Sequence, residues 1–228
     1  MNKGQEQGTE NVAVILPYES DREYYIEDLG EVKDKPFYAF VKRAFDILFA
    51  AVCLLLLAVP MLVIAVIVKL SSPGKVLYYQ ERLGRNGKRF NIIKFRTMRE
   101  DAEADGVRWS AGDDDERITP VGRILRKTHL DELPQLWCIL TGDMSVVGPR
   151  PERPEYYDRF EQYIHGFRER LKVKPGLTGL AQVRGGYYLK PEEKILYDVE
   201  YIKNRSLWLD LKVVLETVKV VFCCEGVK

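Results

Sequence analysis

Two adjacent carboxylates, Asp131 and Glu132, are the strongest candidates for chemistry in this chain. Pro134 follows them at a position typical of the first turn of a helix, where a missing amide proton breaks no helical hydrogen bond. Arg126 precedes the pair, and Arg150 follows it between two prolines. Carboxylates among fixed positive charges at a helix start suit phosphate chemistry. The spacing therefore indicates a site for a phosphorylated substrate.

The clearest element upstream of these residues is an apolar run from Ile47 to Val68 that contains no charged residue. As a helix, its roughly 22 residues would extend about 33 Å, which is enough to reach across a bilayer core. Pro60 falls near the middle and removes one helical hydrogen bond. The residues alone leave two interpretations open, a kinked spanning helix and a helix–break–helix hairpin within one leaflet. The spanning helix is favoured at this point, because prolines are common in such helices.

Charged residues on both sides of the apolar run leave its orientation open. Lys42 and Arg43 precede the run and Lys69 follows it, so both flanks are basic. Asp46 stands beside Arg43 at the start of the run, where a carboxylate in hydrocarbon would be costly, so we expect it to be paired near the headgroups. Arg43 and Asp46 therefore mark the point where the chain enters the membrane.

The chain divides into three regions by composition. Residues 1–35 are polar and rich in turn formers, which predicts a loosely ordered extension with one short strand at Val12–Leu16; residues 36–70 form the membrane segment, and residues 71–228 form a small cytosolic domain. The predicted fold class is α+β and mostly helical. The formal net charge of +1 gives no indication of a nucleic-acid partner.

Local patterns predict several elements in the third region. Asn86-Gly87 lies between two apolar stretches and predicts a short hairpin, and Thr119-Pro120 predicts a helix start. An amphipathic helix is predicted from Glu152 to about Arg170, followed by a turn and strand over residues 174–183. The segment from Leu207 to Phe222 has helical apolar spacing, which fits either core packing or an amphipathic helix in the membrane interface.

Six motifs, in order, resemble the bacterial sugar transferase family, the monotopic phosphoglycosyl transferases. The resemblance extends from about Phe37 to the C-terminus. Its motifs are Lys42-Arg43-x-Phe45-Asp46, Lys94-Phe-Arg-Thr-Met98, Leu130-Asp-Glu-Leu-Pro-Gln-Leu136, Gly142-Asp-Met-Ser145, Gly148-Pro-Arg-Pro151 and Lys174-Pro-Gly-Leu-Thr-Gly-Leu-Ala-Gln-Val183.

This resemblance implies transfer of a phosphosugar from a nucleotide diphosphosugar, usually a UDP-sugar, to a polyprenyl phosphate such as undecaprenyl phosphate. Asp131 would be the nucleophile that attacks the β-phosphate, so that a phosphosugar-aspartyl intermediate forms and UMP leaves. Glu132 would bind Mg²⁺. Lys94, Arg126 and Arg150 would hold phosphate oxygens. Simpler roles remain open for all three. Lys94 could be a solvated lysine on a strand, Arg126 could be only a structural partner of Asp131, and Arg150 could be a rigid turn residue.

The resemblance also reverses the preference for a spanning helix. Family members are monotopic, so the run would be a re-entrant helix that breaks at Pro60 and keeps both basic flanks on one side. The expected location is the bacterial inner membrane, with the catalytic domain and its interfacial amphipathic helices on the cytoplasmic face. The expected partners are a UDP-sugar, a polyprenyl phosphate and the lipid bilayer, with a second copy of the chain as a further candidate.

One departure and two other hypotheses qualify this interpretation. Many family members carry an arginine in a pattern like Val-x-Gly-Arg, where this chain has Val183-Arg184-Gly185-Gly186, so a phosphate contact there is in doubt. Asp113-Asp114-Asp115 contains the Asp-x-Asp pattern of many glycosyltransferases that use no covalent step. The other hypothesis is a non-catalytic membrane scaffold for polysaccharide assembly, which the intact Asp131-Glu132 pair disfavours.

Overall fold

The structure, a computed structural model, describes residues 22–104, 115–185 and 189–223. It confirms a mixed fold of helices and strands that is more than half helical. The predicted strand at Val12–Leu16 lies outside the described residues. The helices are α1 (Pro36–Leu56), α2 (Ala58–Ser71), α3 (Pro120–Lys127), α4 (Leu136–Thr141), α5 (Pro154–Phe160), α6 (Leu180–Gly185), α7 (Pro191–Asn204) and α8 (Leu207–Cys223). The strands are β1 (Tyr24–Tyr25), β2 (Leu77–Leu83), β3 (Arg89–Phe95), β4 (Ser145–Val147), β5 (Ile164–His165) and β6 (Gly176–Thr178), and 3-10 helices cover Arg85–Gly87, Leu130–Gln135 and Phe167–Lys172.

The apolar run forms two helices, α1 and α2, that meet at Leu57 with a bend of 62°. Pro60 is the third residue of α2, and its missing amide proton leaves the carbonyl of Leu56 without the usual helical donor. The flanking bonds persist, since the Leu57 amide donates to the Cys53 carbonyl and the Met61 amide donates to the Leu57 carbonyl, both at 2.8 Å. Over the described ranges no single helix is both long and apolar enough to cross a membrane. The bent pair together meets that length and composition test.

Polar residues of α1 fasten this helix to the rest of the domain. Asp46 is only 2% exposed and accepts hydrogen bonds from the Ser145 hydroxyl at 3.0 Å and the Val146 amide at 2.9 Å. Arg43 donates from both terminal nitrogens to the last carbonyls of α4, at 2.7 and 2.8 Å. These protein contacts replace the expected pairing of Asp46 beside Arg43 near the headgroups. A cation that bonds the carbonyls at a helix C-terminus also offsets the negative end of the helix dipole.

Three two-stranded sheets carry the remaining framework. Strands β2 and β3 form the predicted antiparallel hairpin, with Leu77 opposite Phe95 and a turn in which Asn86 and Gly87 have φ angles of 57° and 76°. Strands β4 and β6 pair in parallel, as do β1 and β5. Asparagine and glycine tolerate positive φ better than other residues, which explains why the hairpin was readable from the sequence.

Two sequence expectations in the C-terminal half are wrong. The predicted helix from Glu152 to Arg170 ends at Phe160, and the chain continues through β5, a glycine at φ 93° (Gly166) and a 3-10 helix. A buried aromatic cluster packs under this segment, so tertiary contacts override the helical periodicity. The predicted strand around Ala-Gln-Val is instead helix α6, which follows the short strand β6.

Residues 22–35, expected to be loosely ordered, lie against the domain. Strand β1 pairs with β5, and Asp34 forms ion pairs with Arg85 at 2.6 Å and with Arg205. Leu29 and Val32 pack against the main hydrophobic cluster. The N-terminal region therefore contributes contacts to the fold from Tyr24 onward.

Helix α8 packs one face into the core, as one interpretation of its apolar spacing predicts. Val213 is fully buried and packs in the main cluster. On the other side, Trp208, Leu211, Leu215 and Val218 form a stripe of exposed apolar side chains. The helix therefore contributes one face to the core and leaves a second apolar face uncovered.

Candidate active site

Helix α3 is held unusually close to the segment after β3. The Thr119 hydroxyl accepts a hydrogen bond from the Gly122 amide at 2.9 Å, so the predicted helix start is confirmed. A Cβ atom added to Gly122 would lie 2.0 Å from the Thr97 carbonyl oxygen, so only glycine allows this approach. One turn later, Arg126 Nε donates to the Thr97 hydroxyl at 3.2 Å. Thr97 lies 29 residues before Arg126 in the chain, so no local pattern predicted this contact.

A sharp turn at His129 connects α3 to the 3-10 helix that carries the two carboxylates. His129 has a φ angle of 57°, a left-handed conformation that is uncommon for residues other than glycine. The 3-10 helix then spans Leu130–Gln135 with Pro134 inside it, and α4 follows directly. The expected helix start at Asp131 and Glu132 is therefore present, in the tighter 3-10 form.

Both carboxylate oxygens of Glu132 are engaged by cations. Lys94 Nζ lies 2.7 Å from Oε1, and Arg150 donates to Oε1 at 2.5 Å and to Oε2 at 3.2 Å. Burial would raise the pKa of Glu132, but the adjacent Arg150 and Lys94 outweigh it and hold this pKa well below its usual range. Glu132 is therefore an ionised, saturated acceptor between two cations from separate parts of the chain.

Asp131 has a different environment although it is the next residue. It is 6% exposed, and among the described residues no donor hydrogen-bonds its carboxylate. Burial raises the pKa of Asp131; the positive charge of Lys94 opposes this shift, and the negative charge of Glu132 adds to it. The carboxylate oxygens of Asp131 are thus left available to a ligand, whereas those of Glu132 are not.

The three cations predicted to hold phosphate all surround the carboxylate pair. Lys94 and Arg150 contact Glu132 directly, and the charge of Arg126 lowers the pKa of Asp131. The Lys94 side chain is 19% exposed, so the alternative of a solvated strand lysine is wrong. Burial also lowers the pKa of Lys94, against the opposing effect of Glu132. A cluster of cations around one open carboxylate is suited to a diphosphate.

The backbone of Arg150 contacts a buried ion pair that the sequence did not predict. Arg170 Nη2 donates to the Arg150 carbonyl at 2.9 Å and lies 2.7 Å from Asp198 Oδ2. The side chains of Arg170 and Asp198 are 0% and 2% exposed. This buried pairing gives Asp198 a structural role. No sequence signal pointed to Arg170, because it lay within a segment interpreted as a solvated amphipathic helix.

The competing Asp-x-Asp pattern lies partly outside the described residues, which include neither Asp113 nor Asp114. Asp115 is buried and forms an ion pair with Arg117, with Oδ2 2.6 Å from Nη2. Its carboxylate therefore forms a local contact.

The position that departs from the family pattern, Gly186, is also outside the described residues. The neighbouring Arg184 lies 3.7 Å from Glu216.

Comparison with known proteins places these features in one family. The sequence profile described as "Bacterial sugar transferase" matches residues 37–224. A UDP-N-acetylgalactosamine-undecaprenyl-phosphate N-acetylgalactosaminephosphotransferase of Aeromonas hydrophila is 42% identical over 203 residues, which cover 88% of this chain and 48% of the relative. A UDP-glucose:undecaprenyl-phosphate glucose-1-phosphate transferase of Escherichia coli strain K12 is 42% identical over 206 residues, which cover 85% of this chain and 44% of the relative.

A shorter relative matches over nearly its whole length. Exopolysaccharide production protein ExoY of Rhizobium meliloti is 39% identical over 216 residues, which cover 88% of this chain and 92% of that protein. By contrast, the chain spans less than half the length of the Aeromonas and Escherichia relatives.

Proposed function

The chain belongs to the bacterial sugar transferase family, and from this membership we propose that it transfers a sugar 1-phosphate from a UDP-sugar to undecaprenyl phosphate. The names of the relatives supply the two substrate classes. The observation that carries the proposal is the difference between the two carboxylates, with Asp131 open to a ligand and Glu132 saturated by Lys94 and Arg150. The direct test is release of UMP from a panel of UDP-sugars with undecaprenyl phosphate as acceptor. Absence of UMP with every sugar would exclude this function.

In the first step of the proposed reaction, one Asp131 oxygen attacks the β-phosphorus of the UDP-sugar. A bond between oxygen and phosphorus forms, the bond between the β-phosphorus and the bridging oxygen breaks, and UMP leaves. In the second step a phosphate oxygen of the acceptor attacks the same phosphorus and releases the Asp131 carboxylate. Neither nucleophile needs a general base, since the Asp131 carboxylate of the first step and the acceptor phosphate of the second are both anions, and covalent catalysis divides one difficult displacement into two.

Repulsion between the anionic nucleophile and the diphosphate is the main obstacle to this step, and the cations of the site oppose it. We infer that Lys94 and Arg150 exchange their hydrogen bonds to the Glu132 carboxylate for hydrogen bonds to the phosphate oxygens of the incoming substrate. Arginine and lysine hydrogen bonds to phosphate are charge-assisted, so this exchange replaces one set of strong contacts with another. Glu132 therefore serves as a temporary anion that keeps the buried cations in place before substrate arrives.

We propose that Mg²⁺ arrives together with the substrate. The described residues contain no group of three or more histidine, cysteine or acidic side chains able to hold a metal ion. Mg²⁺, however, is commonly bound by one or two carboxylates together with substrate phosphates and water. Glu132, once its cations move to phosphate, is the residue that would hold the ion, with Asp131 beside it. The bound ion would supply positive charge to the diphosphate.

Replacement of Glu132 with glutamine is expected to strengthen UDP binding in metal-free buffer by about tenfold, because Lys94 and Arg150 are no longer neutralised by a carboxylate. With Mg²⁺ present, the same variant is expected to bind UDP more weakly than wild type. Isothermal titration calorimetry with and without chelator measures both effects.

The control for this variant is Glu81→Gln, which removes a carboxylate from an exposed ion pair with Arg89. It should leave UDP affinity unchanged. Weaker UDP binding by Glu132→Gln in both buffers would contradict the exchange, since Glu132 would then be needed to hold the cations in position even when phosphate is present.

For the membrane segment we propose a re-entrant hairpin in one leaflet of the bacterial inner membrane. Its bend of 62° and the exposed apolar side chains along α1 and α2 support this arrangement. Asp46 and Arg43 bond to β4 and α4, so the middle of α1 stays beside the domain that carries Asp131. This geometry would keep the carboxylates at the cytoplasmic surface, within reach of a lipid phosphate and an aqueous nucleotide sugar.

Cysteines introduced at Lys35 and Lys75 in a cysteine-free chain test this topology, because both lysines are exposed at the outer ends of the helix pair. We expect a membrane-impermeant maleimide to label both positions in inverted inner-membrane vesicles and neither in spheroplasts. The cysteine-free chain provides the background. Labelling of the two positions from opposite sides would contradict the hairpin and establish a spanning helix.

A further inference from the structure

A second cavity lies at the far end of α4 from the carboxylate pair. Its volume is about 220 Å³, and it lies where the β2–β3 turn meets the end of α4. A separate groove of about 320 Å³ lies between residues 27–33 and the end of α7. The smaller cavity is lined by Gly84, Arg85, Lys88, Phe90, Gly142, Asp143 and Lys174. Asp131 precedes α4 and Gly142 ends it, so the helix separates this cavity from the proposed reaction.

Three motifs that the proposed reaction does not use converge on this cavity. Gly142-Asp143 and Lys174 line it, and Arg43 lies beside it. A Cβ atom added to Gly142 would lie 3.2 Å from Arg43 Nη2 and 3.6 Å from Lys174 Nζ, so the two cations are close neighbours. The motifs come from α1, from the end of α4 and from the segment before β6, and the fold brings their charges together.

The charges of the cavity are predominantly positive and one of them is unmatched. Lys88 pairs with Asp143 at 3.1 Å, and Arg85 pairs with Asp34. Over the described ranges, the Lys174 ammonium has no hydrogen-bond or ion-pair partner. Burial lowers the pKa of Lys174 and the neighbouring Arg43 lowers it further, while the charges of Asp46 and Asp143 oppose this shift. An anion in the cavity would relieve this repulsion.

The end of a helix normally disfavours an anion, because its carbonyls carry partial negative charge. Here Arg43 donates to the Ile139 and Leu140 carbonyls and so offsets that charge. The buried ring of Phe90 forms an apolar wall. The cavity thus combines an apolar wall with a lining in which the cations Arg85, Lys88 and Lys174 outnumber the single carboxylate of Asp143.

We propose that this cavity is a second anion site, which binds a phosphate group through Lys174 with Lys88 and Arg85 at its sides. Lysine acts as a compact point charge for phosphate and does not impose the bidentate geometry of arginine. The phosphate belongs either to an anionic lipid headgroup or to a free phosphate, since both present the same charged oxygens. The site is independent of the proposed transfer reaction.

The test uses the full chain in detergent with Arg150→Gln as background, so that phosphate binding beside the carboxylate pair is weakened. Inorganic phosphate is titrated calorimetrically into this background with and without Lys174→Gln. We expect Lys174→Gln to weaken phosphate binding about tenfold, as loss of one charged contact predicts. Lys174→Arg should retain binding, and Lys33→Gln, which removes a lysine from the other groove, should have no effect. Thermal unfolding checks that each variant is folded.

A second arm identifies the source of the phosphate. The chain is extracted from nanodiscs with or without phosphatidylglycerol, and retained lipid is counted by native mass spectrometry. Lipid retention that Lys174→Gln abolishes assigns the site to a headgroup, and phosphate binding without lipid retention assigns it to a soluble phosphate. The proposal is overturned if neither ligand responds to Lys174→Gln.

Discussion

Asp131→Asn is expected to lower the rate of sugar-phosphate transfer by at least about a thousandfold, because asparagine has the same shape but cannot serve as the anionic nucleophile. Since no described residue hydrogen-bonds the Asp131 carboxylate, the substitution should not disturb the fold. Release of UMP from a UDP-sugar with undecaprenyl phosphate measures the rate. Circular dichroism and UDP affinity verify that the variant is folded and still binds nucleotide.

The matched control is Asp158→Asn, which makes the same chemical change in an exposed ion pair with Arg168. Its transfer rate should equal that of wild type. Incubation of wild-type protein with UDP-sugar alone should leave a phosphosugar on Asp131, detectable as a mass increase on one peptide. Wild-type activity in Asp131→Asn would eliminate the nucleophile assignment, even if the family reaction itself were retained.

The raised pKa of Asp131 gives the same prediction a pH dependence. Only the deprotonated carboxylate attacks phosphorus, so the transfer rate should fall as pH decreases through a pKa above the ordinary aspartate value. The rate should level off above that pKa. The pKa of Glu132 is held well below its usual range, so Glu132 stays ionised as Asp131 becomes protonated. A flat profile down to the ordinary aspartate pKa would contradict the burial of the nucleophile.

The sequence was informative where local rules determine structure. Proline in the first turn placed Asp131 and Glu132 at a helix start, Asn86-Gly87 identified the hairpin, and Thr119-Pro120 identified α3. Each of these patterns acts within a few residues. Family motifs then selected Lys94 and Arg150, and the position just before the carboxylate pair selected Arg126, from a chain with 35 lysines and arginines.

Contacts between distant segments could not be predicted in this way. Glu132 is saturated by Lys94 and Arg150, which are 38 and 18 residues away in sequence, and no spacing rule reports that contact. The break of the predicted helix at Phe160 depends on aromatic packing and on the pairing of β5 with β1. Asp46 was assigned to the headgroups because a carboxylate in hydrocarbon is costly. Its hydrogen-bond donors could not be predicted, since they lie about a hundred residues further along the chain.

Asp198→Ala is expected to reduce the free energy of unfolding by about 3–5 kcal/mol, because it leaves the Arg170 guanidinium buried without its carboxylate. The two side chains are 0% and 2% exposed, so solvent cannot replace the lost partner. Rings of Phe167 and Tyr157 lie 4.9 and 5.9 Å from the guanidinium and compensate only partly. Urea unfolding in detergent, followed by tryptophan fluorescence, measures the change. Asp158→Ala, in an exposed ion pair, should change stability by less than about 1 kcal/mol.

A double variant, Arg170→Met with Asp198→Leu, separates the effect of the ion pair on the free energy of unfolding from its effect on the position of Arg150. Removal of both charges should restore much of the unfolding free energy, because apolar side chains of similar volume can replace a buried ion pair at little cost. The Arg150 carbonyl nevertheless loses its donor, Arg170 Nη2. We therefore expect UDP affinity to stay reduced in the folded double variant, since Arg150 no longer has a fixed backbone. Recovery of both stability and UDP affinity would mean that the prolines beside Arg150 are sufficient to orient it.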